Sequence, residues 1–161
     1  MPDKPVFTPL KDEQDRTKDK EIEISAGPPL WTMAEDYIQG PVKLKIEVVD
    51  PEAVWQFAAE TYCKAGGTMR NDLAALFPAA PIGALIGKLG GGTADCPAAA
   101  PAGAVGTPPA GVKLFAVGTF AIVAVGEDDS GPLFLTMNDT LAGLANHRGK
   151  MKIKVSLAPA N

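Results

Sequence analysis

The chain has 161 residues, about one domain's worth, and 46% of them are hydrophobic, which is ample for a packed core. Charged residues make up 21% and the formal net charge is −4, so the basic footprint of a nucleic-acid binder is missing. No apolar run approaches the roughly 18–20 residues that span a bilayer, and the charged N-terminus has no apolar signal segment. The expectation is no membrane span and a cytoplasmic location by default, with export by another route left open. Many Ala, Gly and Pro and few aromatics favour short strands joined by turns over long helices.

Residues 1–24 carry both signs of charge, with Phe7 and Leu10 as the large apolar anchors before Lys11. They read as a charged N-terminal arm, mostly solvated and contributing little stability, with residues 5–10 able to lie along the body. A single domain is expected over 25–161. Glu21-Ile22-Glu23-Ile24 alternates as a strand does, and Gly27-Pro28-Pro29 ends it. Met33 to Asp36 reads as a single helical turn, and Gly40-Pro41 as a turn. Val42–Val48 is the cleanest alternation in the chain, with Val, Leu, Ile and Val inward and Lys43, Lys45 and Glu47 outward.

Residues 53–62 contain Trp55, Phe57 and Tyr62 and suit either a strand or a short helix. Asn71-Asp72 can cap a helical turn through Phe77. Residues 84–89 read as a strand whose Gly87 permits close packing or a bulge. The glycines at 87–92 do not form a phosphate loop, because no GK[ST] and no following helix accompany them. Residues 91–111 form a Gly/Ala/Pro-rich connection. Residues 113–125 read as two strands or one bent strand, and 127–131 as a hairpin turn. Cys63 and Cys96 lack zinc-ribbon spacing and are either idle thiols or a disulfide.

The segment 131–155 reads as strand, polar loop, strand. Leu133, Phe134, Leu135 and Met137 form a β-rich run, and Met151, Ile153 and Val155 alternate with Lys150, Lys152 and Lys154. Between them lie Asn138, Asp139, Thr140, Asn146 and His147, the only histidine. Polar side chains held between two rigid strands mark this loop as the place to look for function. The strands at 42–48, 84–89, 133–137 and 150–155 should form one antiparallel sandwich with Leu44, Ile46, Leu85, Leu135 and Ile153 in its core.

Three stretches occur in order: PIGALIGKLG at 81–90, LFAVGTF at 114–120, and the SGPLFLTMND segment that ends in NHRGKMKIKV. Together they resemble the core of the calcium-dependent, PA-IL-like bacterial lectins, over about residues 40–156. The resemblance implies an all-β fold: a small antiparallel, jelly-roll-like β-sandwich of the galactose-binding type. It also implies a calcium ion shared between the protein and two sugar hydroxyls. Carried over by residue, the metal ligands fall on Asp139, the carbonyl of Thr140, Asn146 and a carbonyl near Ala58, and the sugar contacts on Asp139, Asn146 and His147. The family's second loop asparagine falls on His147. That is a departure, because calcium is a hard ion wanting six to eight oxygens and an imidazole nitrogen replaces an amide oxygen poorly.

Two readings of the loop stand side by side. Either Asp139, Thr140 and Asn146 keep a weakened calcium, or the ion is lost and Asp139 pairs with His147. A transition metal on His147, Asp139 and another carboxylate is a third. Catalysis finds no support: none of Ser25, Ser130 and Ser156 sits in a G-x-S-x-G elbow. The expected function is a non-catalytic, lectin-like module whose partner is carbohydrate, as a monomer or a homo-oligomer. The alternative is a β-sandwich for protein interaction or assembly that has lost the calcium site. The family's outer pocket falls on 59–80, where the chain does not align, so the resemblance does not choose the sugar.

Overall fold

The computed structural model describes residues 6–27, 31–90, 112–140, 143 and 146–160. They form antiparallel strands in two packed sheets, a β-sandwich. The strands are β1 (Thr8–Pro9), β2 (Ile22–Ser25), β3 (Thr32–Ile38), β4 (Val42–Val48), β5 (Trp55–Ala58), β6 (Thr61–Cys63), β7 (Leu85–Leu89), β8 (Lys113–Ala116), β9 (Phe120–Val125), β10 (Gly131–Met137) and β11 (Lys150–Pro159). One sheet has the order β1-β11-β4-β9, with β2 also paired to β11; the other runs β3-β10-β7-β8, and β5-β6 is a separate hairpin. Among the described residues no helix is long and apolar enough to cross a membrane.

The alternation of β4 and β11 is realised. Leu44, Ile46 and Val48 pack inward beside Met151, Ile153 and Val155, with Ile46 opposite Val155 in the ladder. From the other sheet, Leu85, Leu89, Leu133, Leu135 and Met137 close the same core. Gly87 serves packing here, since a Cβ on it would collide with the Phe115 ring. The central strands of the second sheet, β7 and β10, are dry on both faces. The sheet's outer face carries Ile86, Phe134 and Leu114 under Trp31, Leu76 and Ala80. Lys88 is fully buried there, its ammonium 4.7 Å from the Trp31 ring centroid and 4.9 Å from that of Phe134, which suits a cation facing π-electrons.

Several local expectations are corrected. Met33 to Asp36 is part of strand β3, because pairing with β10 overrides the helical leaning of Met, Ala and Glu. Residues 53–62 are neither one strand nor a helix but the β5-β6 hairpin. The segment after Asp72 is a turn in which the Asp72 carboxylate accepts from Ala74 N–H at 2.8 Å, not a helix. Glu127–Asp129 is a 3-10 turn that passes from β9 in one sheet to β10 in the other, so it arches across the sandwich and closes no hairpin. Residues 113–125 are two strands, one in each sheet. The Gly/Ala/Pro connection at 91–111 lies outside the described residues, and with it Cys96.

The charged arm is not detached. β1 pairs with Ser156 and Leu157 of β11, Leu10 N–H donates to the Val155 carbonyl at 2.9 Å, and the Leu10 side chain packs against the core. β2 lies across the 24/25 boundary as a full strand of the sheet. Removing residues 1–10 should therefore cost about 1–2 kcal/mol, mainly the Leu10 burial and the β1 ladder. Thermal denaturation should show a drop of about 2–8 °C; an unchanged melting temperature would place the arm's contribution at nil.

Candidate functional site

The loop between β10 and β11 joins the two sheets, so its residues sit where both sheets end. Asn138 leads it and is fully buried. Its side-chain oxygen accepts from Phe77 N–H at 2.9 Å, and its amide donates to the carbonyls of Phe77 and Ala80 at 2.9 Å and of Pro81 at 3.2 Å. One side chain thus holds the turn at 77–81 in place. The backbone continues the work: Gly83 N–H donates to the Asn138 carbonyl at 2.7 Å and Leu76 N–H to that of Asp139 at 2.9 Å.

Asp139 is nearly buried, and both of its carboxylate oxygens are engaged. Oδ1 accepts from Thr140 N–H at 2.6 Å, and Oδ2 lies 2.8 Å from His147 Nε2. The other ring nitrogen, Nδ1, is 2.9 Å from the Ala26 carbonyl at the end of β2. A carbonyl brings no proton, so Nδ1 donates to it, while Nε2 and Oδ2 share a hydrogen bond. Both nitrogens of His147 are thereby spent on protein oxygens. The backbone is fitted tightly around the pair: a Cβ at Gly143 would run into the Asp139 carboxylate.

Strand β5 supplies the opposite wall. Gln56 and Arg148 exchange backbone hydrogen bonds at 2.8 and 3.0 Å, which sets β5 beside the end of the loop. Trp55 anchors that strand, its indole N–H donating to the Gly83 carbonyl at 2.9 Å. Between these walls lies a cleft of about 390 Å³ lined by Phe57, Ala58, Thr61, Arg70, Asp72, Ile82, Asp139, Thr140, Gly143 and Asn146. The four positions expected to hold a metal, Ala58, Asp139, Thr140 and Asn146, therefore face one cleft. Of the expected sugar contacts, Asp139 and Asn146 line it, while His147 is buried behind Asp139 and does not. The sequence does not single out Phe57, Thr61, Arg70 and Asp72 for the site: it presents Phe57 only as part of the 53–62 segment and Asp72 as a cap, and the outer-pocket stretch 59–80 has no alignment to pick out residues.

The donor set fits calcium poorly. The oxygens of Asp139 are taken by two N–H groups, and the Thr140 carbonyl already accepts from Gly143 N–H at 3.1 Å. An ion on Asp139 would also have to share Oδ2 with the ring of His147. The transition-metal reading fares no better, because both nitrogens of His147 are already engaged by Asp139 and the Ala26 carbonyl. Among the described residues no three of His, Cys, Asp and Glu converge on a point.

Cys63 lies below the same region, buried, with its thiol 3.5 Å from the Gly83 carbonyl. Burial pushes that thiol up to about 11, with the Trp55 side chain opposing the shift. The folded protein then holds its proton more tightly than the unfolded chain does. Stability attributable to Cys63 is intact below pH about 9 and is lost progressively between about 9 and about 11. Cys63→Ala should flatten that part of the stability–pH curve relative to wild type. Asn138→Ala should destabilise by about 2–4 kcal/mol, because it leaves buried backbone groups of 77–81 without partners. Urea unfolding measures it; a loss below about 0.5 kcal/mol would mean the turn does not depend on the clamp.

No protein-family model matches the chain, and no curated protein matches it.

Proposed function

We propose that the chain is a non-catalytic carbohydrate-binding module whose site is the cleft between β5 and the 138–147 loop. The observation that carries the reading is the chemistry of the lining. A sugar ring offers an apolar C–H face and a rim of hydroxyls that both donate and accept. The cleft answers with Phe57 for the face, and with Thr61, Arg70, Asp72, Asp139, Thr140 and Asn146 for the rim. Its volume, about 390 Å³, lies within the ~300–1,000 Å³ usual for small-molecule sites. The resemblance to PA-IL-like lectins, carried by the stretches at 81–90, 114–120 and 130–155, makes galactose the first sugar to test.

A second reading, a module for protein interaction or self-assembly, draws on β9. That strand ends its sheet, and it leaves Phe120 and Ile122 more than half exposed.

Asn146 is exposed, whereas Phe57 is half-buried and also packs against the core. Asn146→Ala and Phe57→Ala should each weaken galactose binding about tenfold or more, equivalent to about 1.4 kcal/mol, with the melting temperature nearly unchanged for Asn146→Ala and lowered for Phe57→Ala. Titration calorimetry with galactose, preceded by a glycan array to widen the choice of sugar, reads this directly. Affinity insensitive to both substitutions would remove the cleft from consideration. No binding to any glycan, together with a dimer mass in light scattering that Ile122→Lys abolishes, would favour the assembly reading instead.

A further inference from the structure

We infer that in this chain the ring of His147 holds Asp139 in place, as a bound calcium would in the lectins it resembles, so that the cleft works without a metal. The inference rests on the carbohydrate reading for its purpose but not for its test. Its basis is the geometry around Asp139. A carboxylate at the end of a strand, almost removed from water, needs hydrogen-bond partners and needs its orientation fixed. A calcium ion does both by coordination, drawing loop oxygens around itself. Here the ring of His147 does both from the protein side. Nε2 meets Oδ2 at 2.8 Å, and Nδ1 is held by the Ala26 carbonyl at 2.9 Å, so the ring cannot swing away. Thr140 N–H fixes Oδ1 at 2.6 Å.

The position is also the informative one. His147 is where the resemblance places the second asparagine ligand. One change of residue thus removes an oxygen donor and installs a ring that occupies Oδ2 of Asp139, and the two effects act in the same direction. The loop gains a partner for Asp139 that is built into the chain instead of one that must be recruited from solution. The cost is paid inside: the ring and the carboxylate form a buried pair, so neither can be removed alone without stranding the other.

The experiment measures melting of the full chain in calcium chloride and in chelator, for wild type, His147→Asn and His147→Gln. The glutamine variant can keep a neutral N–H near Asp139 and guards against loss of the fold in the asparagine variant. The wild type should melt at the same temperature in both conditions. At least one variant should melt lower in chelator and recover in millimolar calcium, because Asp139 is left without the ring on Oδ2 and an amide oxygen is restored or freed. A wild type stabilised by calcium overturns the inference, and so does the absence of a calcium response in both variants. Galactose titration under the same conditions separates the two readings. If wild type binds sugar equally with and without chelator, both stand. If sugar binding fails throughout while the calcium pattern appears, the carbohydrate reading falls and the inference about His147 survives.

Discussion

The contact on which the site region depends is the pair between Asp139 and His147. It joins the end of β10, the loop that crosses between the sheets and, through the Ala26 carbonyl, the end of β2. Polar groups this far from water are tolerated only when each has a hydrogen-bond partner, and here both ring nitrogens and both carboxylate oxygens have one. The requirement propagates outward. Gly143 must lack a side chain for its backbone to approach the carboxylate, and Thr140 must turn its N–H back onto Oδ1. Arg148 follows directly and is fastened to β5, so the position of the cleft wall is tied to the position of the ring.

The two sheets are unequal, and the inequality places the cleft. The sheet of β4 and β11 has a wet face studded with lysines, as its alternation demands. The sheet of β7 and β10 is buried on both sides, because Trp31 and the stretch from Leu76 to Ala80 cover its outer face. That covering stretch is the one clamped by Asn138, and the segment it belongs to also brings Arg70, Asp72 and Ile82 to the cleft. A site forms at the rim of the doubly covered sheet, where the covering segment, the hairpin β5-β6 and the inter-sheet loop come together.

Much of the fold was legible because one-sided burial leaves a period of two. Val42–Val48 and the Met151, Ile153, Val155 series carried it openly, and both are strands whose apolar residues reach the core. Two-sided burial erases the period, which is why the outer face of β7, with Lys88 inside, was not anticipated. Met33 to Asp36 misled because local preference spoke for helix while the strand was decided by β10, about a hundred residues away. At the site, spacing alone located the polar loop, and the resemblance assigned Ala58, Asp139, Thr140 and Asn146, which face one cleft. The Ala26 carbonyl that fixes His147 lies 121 residues from it and belongs to the backbone, so no residue type could announce it. Asn138 did leave a signal: an amide closing an apolar strand must find partners once buried.

An apparent conflict remains between a carboxylate with both oxygens occupied and a carboxylate offered to a ligand. It dissolves on counting lone pairs. Each carboxylate oxygen has two acceptor sites, and each oxygen of Asp139 uses one. Two are left, and Asp139 still lines the cleft. A hydroxyl can donate to one of them with little rearrangement, since the loop is already in place before a ligand arrives. A metal asks for more: several oxygens at once, and an orientation of the carboxylate that the ring already dictates. The arrangement that makes Asp139 a ready acceptor for a single hydroxyl is therefore the same one that makes it a poor ligand for a cation.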